Sequence, residues 1–258
     1  MIPLKDQELI RQKFAQELLG PVKIDLFTQR EMSIIVPGRA ACAYCKPTQD
    51  MLQELAALSD LITLRVHIWE EAKEEAQKFA IERIPGIVLR GRDSVALKFY
   101  GLPGGTEFPS FLETIVDVSR GETLFSPESK RSLKKLKDDV AVRVFVTPTC
   151  PYCPAMARAA CQLALATPHV KAEVIEVNEF PDLAQRYGVR AVPLTVIDDK
   201  VVIRGAVPEK VLVEQVLKAA QSAAVSEPSA PAGPTSAAAA PEGEPRRGEQ
   251  RGSGLIVP

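Results

Sequence analysis

Five cysteines carry the clearest chemical potential in this chain: Cys42, Cys45, Cys150, Cys153 and Cys161. Four form two Cys-x-x-Cys pairs, Cys42-Ala43-Tyr44-Cys45 and Cys150-Pro151-Tyr152-Cys153. At the start of a helix this spacing places the first sulfur at the exposed N-terminus and the second about one turn further in, within bridging distance. The partial positive charge of the helix end favours thiolate over thiol, and a thiol of pKa ~8.5 moves there to ~3.5–7.5. Thiol–disulfide exchange follows: the first thiolate attacks a disulfide, and the second cysteine resolves the mixed disulfide. A structural disulfide and a metal site stay open as rival readings. Zinc held by two such pairs usually spaces them by ~15–20 residues, whereas 104 residues separate Cys45 from Cys150, so metal is not expected within the chain. Cys161, among Ala159, Ala160, Leu163 and Leu165, reads as a small buried hydrophobe rather than a regulatory thiol. His67 and His169 have no ligand spacing to any cysteine and read as structural or solvated.

The elements that must position these cysteines occur twice. Cys42 and Cys150 are 108 residues apart, as are Cys45 and Cys153, and the same offset relates Pro85 to Pro193. It also relates the strand-like run 64–68 to 172–176. Three markers in fixed register indicate an internal duplication. In the first half, strands are expected over 22–27, 61–68, 86–89 and 94–100, with helices from Cys45, over 71–80 and around Phe108 to Val116. The second half repeats the order, with strands over 141–146, 171–177, 194–197 and 201–204 and helices over 153–166, 180–187 and 211–220. Outside the repeat, 4–19 reads as a preceding helix ending at Gly20-Pro21, and Ser126-Pro127 caps a connecting helix over 128–137. Cis peptide bonds are nearly confined to X-Pro. One each after Ile84 and Val192 would expose backbone groups beside the cysteines, where an extended substrate peptide could pair by β-augmentation. The last segment, 222–258, is rich in Ala, Pro, Gly and Ser, buries too little to offset the entropy of ordering it, and is expected to be a disordered tail.

Composition excludes several functions. Of 258 residues, 46% are apolar and 25% charged, which is globular. Lys and Arg total 32 against 33 Asp and Glu, so no basic field exists to hold nucleic acid or an anionic membrane. No apolar run approaches the ~20 residues of a membrane span. The charged start Met1-Ile2-Pro3-Leu4-Lys5 lacks a signal peptide's apolar core, and a cytoplasmic protein is expected.

The repeated strand, Cys-x-x-Cys, helix and distant proline resemble two fused thioredoxin-fold units. More narrowly, the chain resembles the two-domain, glutaredoxin-like protein disulfide oxidoreductases. The residues that carry this are Phe145-Val146-Thr147-Pro148-Thr149-Cys150-Pro151-Tyr152-Cys153-Pro154, Tyr100-Gly101-Leu102-Pro103-Gly104-Gly105, Phe111 to Arg120, and Gly205-Ala206-Val207-Pro208-Glu209-Lys210. The resemblance spans about residues 4–221. It implies an α/β fold of two tandem units, each a mixed sheet flanked by helices: 1–120 with its preceding helix, a connecting helix in 121–139, and 140–221. It also implies a dithiol–disulfide oxidoreductase that needs no resident cofactor, acts on protein disulfides or dithiols and is re-reduced by a flavin-dependent thioredoxin reductase. By motif, Cys150 is the nucleophile, Cys153 the resolving thiol and Pro193 a cis-proline preceded by Val192. Cys42, Cys45 and Pro85, preceded by Ile84, take these roles in the first unit. Pro151 and Tyr152, and Ala43 and Tyr44, form the two active-site loops.

Two departures from that pattern are visible. The stretch 28–41 between the first strand and Cys42 is far longer than the three residues between Val146 and Cys150, and the first pair lacks the intervening proline. The second site is therefore expected to dominate. Six residues before each pair stand Val36 and Val144, where single-domain thioredoxins carry a buried acid, so the proton acceptor for Cys153 is unassigned. Two other functions remain: an electron relay to a peroxiredoxin, with identical sulfur chemistry, and a peptide-binding chaperone or scaffold whose cysteines are structural.

Overall fold

Alternating apolar residues build strands, and apolar residues at helical spacing build the helices that cover them. The computed structural model describes residues 2–30, 42–92 and 96–221. Helix α1 (Leu4–Glu17) leads into β1 (Val22–Thr28), α2 (Cys45–Ala56), β2 (Ile62–Ile68), α3 (Lys73–Lys78), β3 (Gly86–Arg90), β4 (Ala96–Tyr100) and α4 (Glu107–Arg120). After α5 (Pro127–Leu133) the series returns as β5 (Val140–Val146), α6 (Cys153–Ala166), β6 (Val170–Glu176), α7 (Pro181–Arg186), β7 (Leu194–Ile197), β8 (Val201–Arg204) and α8 (Glu209–Gln221).

The strands lie in the order β2-β1-β3-β4-β6-β5-β7-β8. Strand β1 pairs parallel with β2 and antiparallel with β3, and β5 does the same with β6 and β7. Each half is thus a four-stranded mixed sheet with helices, and the two are tandem thioredoxin-like units. They join through a parallel pairing of β4 with β6, in the register Lys98↔Glu173, Phe99↔Val174 and Tyr100↔Ile175. Glu173 holds this seam by accepting from Lys98 Nζ (2.8 Å) and from Arg143 Nε on β5 (3.0 Å).

Successive strand residues point to opposite faces, which gives two apolar layers. Ile24, Leu26 and Val142 pack against Leu52, Phe111, Leu163 and Leu212 of α2, α4, α6 and α8. On the other face Phe27, Val88 and Phe145 meet the layer of Ala76 and Leu183 from α3 and α7. The fully buried Asp117 of α4 accepts from Arg158 Nε (2.8 Å) and Gln162 Nε2 (2.7 Å), both on α6. A buried charge satisfied this way fixes one helix against the other, and losing Arg158 would strip away its paired charge.

Several boundaries differ from the sequence expectation for local reasons. Helix α3 is shorter than 71–80: the N–H groups of Glu71 and Ala72 both turn back to Ile68 O (2.9 Å each), and Ala80 has φ 49°. Helix α5 stops before 137 because Lys135 and Leu136 bond to Ser132 and Leu133, three residues back, which tightens its last turn. Helix α8 starts two residues earlier than expected, after Pro208. The start of the expected strand at Ser94, most of the insertion at 28–41 and the tail at 222–258 lie outside the described residues. His67 is structural: its Nε2 lies 2.9 Å from Asp25 Oδ1, while Arg90 holds the other oxygen, Oδ2, and the His67 ring stacks on Phe27 at 4.7 Å. Cys161 is buried, and that burial pushes its thiol up to about 12. No helix among the described residues is long and apolar enough to cross a membrane.

Candidate active site

Strand β5 ends at Val146, and Thr147-Pro148-Thr149 carries the chain to Cys150. Helix α6 begins at Cys153 with Tyr152 at its N-cap, so the outer cysteine stands at the positive end of a 14-residue helix. Cys150 and Cys153 are disulfide-paired, with Cα atoms 5.5 Å apart. Cys153 is fully buried, Cys150 is 8% exposed, and Pro151 and Tyr152 face solvent. The Cys153 N–H donates to Cys150 Sγ (3.2 Å), and Val192 O lies 3.6 Å from the same sulfur. The Val192–Pro193 bond is cis. Val192 is half-buried and Pro193 buried, so the backbone of Val192 borders the sulfur.

The first pair has the same plan with different details. Cys42 and Cys45 are disulfide-paired with Cα atoms 5.4 Å apart, Cys45 starts α2, and Tyr44 is its N-cap. Ala43 and Tyr44 are exposed, Cys42 half-buried and Cys45 buried. Here the Cys45 N–H points at Cys42 O (3.4 Å), and among the described residues no N–H donates to Cys42 Sγ. The Cys42 N–H itself donates to Gln29 Oε1 (2.9 Å). The Ile84–Pro85 bond is cis, with Ile84 half-buried and Pro85 buried. Both residues line a groove of about 610 Å³ with Cys42, Tyr44 and Trp69, and the second half contributes Asn178, Glu179 and Pro181 to it. Among the described residues, no group of three or more His, Cys, Asp or Glu is placed to hold a metal ion.

The carboxyl that sequence reasoning did not find is Glu107. It opens α4, in the first half, yet that helix end packs on the second cysteine loop. Thr106 N donates to Pro148 O (2.8 Å), Thr106 Oγ1 to Cys150 O (2.9 Å), and Ser110 Oγ to Pro154 O (3.0 Å). Between these ties Glu107 is 4% exposed, and its Oε1 is buried with no hydrogen-bond partner. Burial alone pushes its carboxyl up to about 7, because desolvation penalises the charged form. In the sequence this glutamate resembles any acid in a helix's first turn. Only the packing of one half's helix on the other half's loop brings it beside that loop.

Gly105 makes this close approach possible. Its φ is +57°, and a Cβ there would run into Pro148 O and lie 2.9 Å from Pro148 Cβ. Gly105→Ala is therefore expected to destabilise the protein by about 2 kcal/mol or more, read as a lower denaturation midpoint with an unchanged slope.

The comparisons with known proteins agree with this geometry. Residues 140–218 match the family model described as "Thioredoxin domain". A thioredoxin of Methanocaldococcus jannaschii is 40% identical over 80 residues, which cover 31% of this chain and 94% of that protein. An alkyl hydroperoxide reductase component of Xanthomonas campestris pv. phaseoli is 26% identical over 156 residues, 60% of this chain; the match spans only 28% of that relative's length. Among solved structures, a protein disulfide oxidoreductase from Aeropyrum pernix superposes with a TM-score of 0.76 at 26% identity, covering 86% of this chain and 94% of that one. With its two Cys-x-x-Cys pairs at disulfide distance, the chain belongs to the thioredoxin family of disulfide oxidoreductases.

Proposed function

We propose that the protein exchanges dithiols and disulfides with protein substrates, chiefly at Cys150–Cys153, and that Cys42–Cys45 is a second, unequal site. The observation that carries this reading is the Cys150 sulfur, held at the N-terminus of α6, under the Cys153 N–H and beside Val192 O. In the reductive direction the Cys150 thiolate attacks one sulfur of a substrate disulfide. A Cys150–substrate disulfide forms, and the other substrate sulfur leaves as a thiolate and takes a proton from water. Cys153 then gives its proton to the Glu107 carboxylate and attacks Cys150 Sγ, which releases the second substrate sulfur as a thiolate; that thiolate takes its proton from water, and Glu107 returns the Cys153 proton to solvent. The substrate has gained two electrons and two protons, and the enzyme dithiol has become a disulfide. A flavin-dependent thioredoxin reductase is the proposed source of the electrons that restore it. A carboxyl titrating at about 7 suits the proton step, because both of its forms are populated at neutral pH. The substrate chain is proposed to lie along Val192–Pro193 and, at the first site, along Ile84–Pro85.

A second reading has its own support. The matches to alkyl hydroperoxide reductase components run over 156 and 163 residues, longer than either half of this chain, which favours a relay that passes electrons to a peroxiredoxin. The sulfur chemistry is the same, and only the acceptor differs.

Dithiothreitol-driven reduction of insulin tests the main reading. The wild type is expected to shorten the onset of insulin precipitation several-fold. A rate equal to that of dithiothreitol alone would overturn the general reductase and leave the dedicated relay, which the same assay with an oxidised peroxiredoxin as acceptor would detect.

A further inference from the structure

Two more carboxyls, the buried Glu176 beside Glu107 and the half-buried Glu179 next to it, take no part in the exchange described above. Glu176, the last residue of β6, is 5% exposed and accepts from the N–H groups of Glu179 (2.9 Å) and Asn178 (3.3 Å). Glu179 accepts at Oε1 from the Leu102 N–H (2.7 Å), and its Oε2 is buried without a partner. Burial raises both carboxyls, Glu179 to about 7, and for Glu179 the negative charge of Glu176 adds to the effect. The turn at Gly101 (φ +94°) rests directly on this pair. A Cβ there would lie 2.8 Å from Glu176 Cβ and 3.0 Å from Glu179 Cδ.

A cavity of about 10 Å³ joins Glu176 to Glu107, walled by Tyr100, Leu102 and Val146. That is roughly the room one water molecule needs. At the other end, Glu179 is part of the wall of the Cys42 groove. Of the charged groups around this line, Arg143 acts on Tyr100 and Arg158 on Cys161. Tyr100 donates to Ala80 O and is pushed up by burial, Cys161 titrates at about 12, and Glu70 lies across the groove. Among the described residues no lysine or arginine forms an ion pair with Glu107, Glu176 or Glu179. Three carboxyls therefore run from beneath the Cys150 loop to the groove of Cys42: Glu176 and Glu179 resist ionising together, and Glu107 meets Glu176 at the one-water cavity they share.

We propose that Glu107, Glu176 and Glu179 form one coupled proton-holding row between the two dithiol sites, so that a charge gained at one site alters proton release at the other. This rests on Glu107 as proton acceptor for Cys153. When Cys153 hands over its proton, Glu107 becomes neutral and the negative charge moves to sulfur. Glu176 then shares its cavity with a neutral carboxyl, and Glu179, beside it, more readily releases a proton into the groove. Glu176 and Glu179 are positioning residues, acting on sulfur only through Glu107. Groups coupled in this way titrate as a set rather than singly.

The test uses the full chain carrying Cys42→Ser and Cys45→Ser, reduced, with thiolate absorbance at 240 nm followed against pH. Below pH 10 the second-site cysteines dominate the signal, since Cys161 titrates at about 12. Removing a negative charge from the row eases ionisation next to it. Glu179→Gln should therefore lower the thiolate midpoint by about half a unit, and Glu176→Gln by at least as much. The shift caused by Glu179→Gln should shrink to less than about half once Glu107→Gln is also present, the non-additivity expected of coupled groups. A midpoint that Glu179→Gln leaves in place while Glu107→Gln moves it, or a shift of equal size in both backgrounds, would overturn the row and leave the proposed function standing. A midpoint indifferent to Glu107→Gln would overturn the proton-acceptor role itself, and the row with it.

Discussion

Serine in place of Cys150 is expected to lower disulfide-reductase turnover by at least about 10³-fold, because a hydroxyl does not ionise near neutral pH and forms no mixed disulfide. Serine in place of Cys42 should leave most of the turnover intact. The asymmetry follows from the surroundings of the two outer sulfurs. Cys150 Sγ receives the Cys153 N–H at 3.2 Å, a bond that strengthens when the sulfur is an anion. At the first site the equivalent N–H of Cys45 is directed to Cys42 O, so a Cys42 thiolate lacks that donor. Cys153→Ser separates the two chemical steps: Cys150 still attacks, but the mixed disulfide persists and is seen as a one-to-one covalent adduct by mass spectrometry. Equal losses from Cys42→Ser and Cys150→Ser would mean that the two sites act in series, and full activity in Cys150→Ser would place the chemistry in the first half.

Glu107→Gln should slow release of the mixed disulfide by about 10²-fold at pH 7, the usual contribution of a positioned proton acceptor. In the wild type that step speeds up as pH rises through about 7, where Glu107 becomes a carboxylate; in the variant this inflection is lost. Stability should move the other way. A carboxyl whose pKa is higher folded than unfolded favours the native state most below its unfolded value, near pH 4.5, and that advantage is lost as pH rises through about 7. The glutamine variant is therefore expected to match the wild type at pH 4 and to exceed its stability at pH 8 by on the order of 2–3 kcal/mol. Denaturation at the two pH values, beside stopped-flow kinetics of the mixed disulfide, checks both signs. A variant that is slower but more stable marks a functional carboxyl; one that is slower and less stable marks a structural one.

The sequence repeat carried much of this architecture. The 108-residue offset places both cysteine pairs at helix starts and both X-Pro bonds beside them, since local patterning and turn chemistry are written along the chain. The seam between β4 and β6 was not legible. Buried Leu97 and Phe99 alternate with Lys98 as they would on an outer strand, and Lys98 acquires meaning only once Glu173 lies opposite it. Glu107 is hidden for the same reason. The place to expect an acid is six residues before the cysteines, on the strand that leads to them, whereas Glu107 stands on a helix of the other half that packs on the second cysteine loop. Spacing along one unit says nothing about contacts made by its neighbour.

The seam also bears on what the molecule offers to other chains. Two separate four-stranded sheets would have four open margins, each a row of unsatisfied amides ready to template a foreign strand. Joining β4 to β6 consumes two of them, and among the described strands only β2 and β8 remain outermost. Strand β8 is four residues long and ends in Arg204, and β2 carries Arg65 at its exposed middle; short length and charge both discourage strand capture. Under the proposed function, which lays extended segments beside the sulfurs, these closed margins restrict where else such segments can adhere.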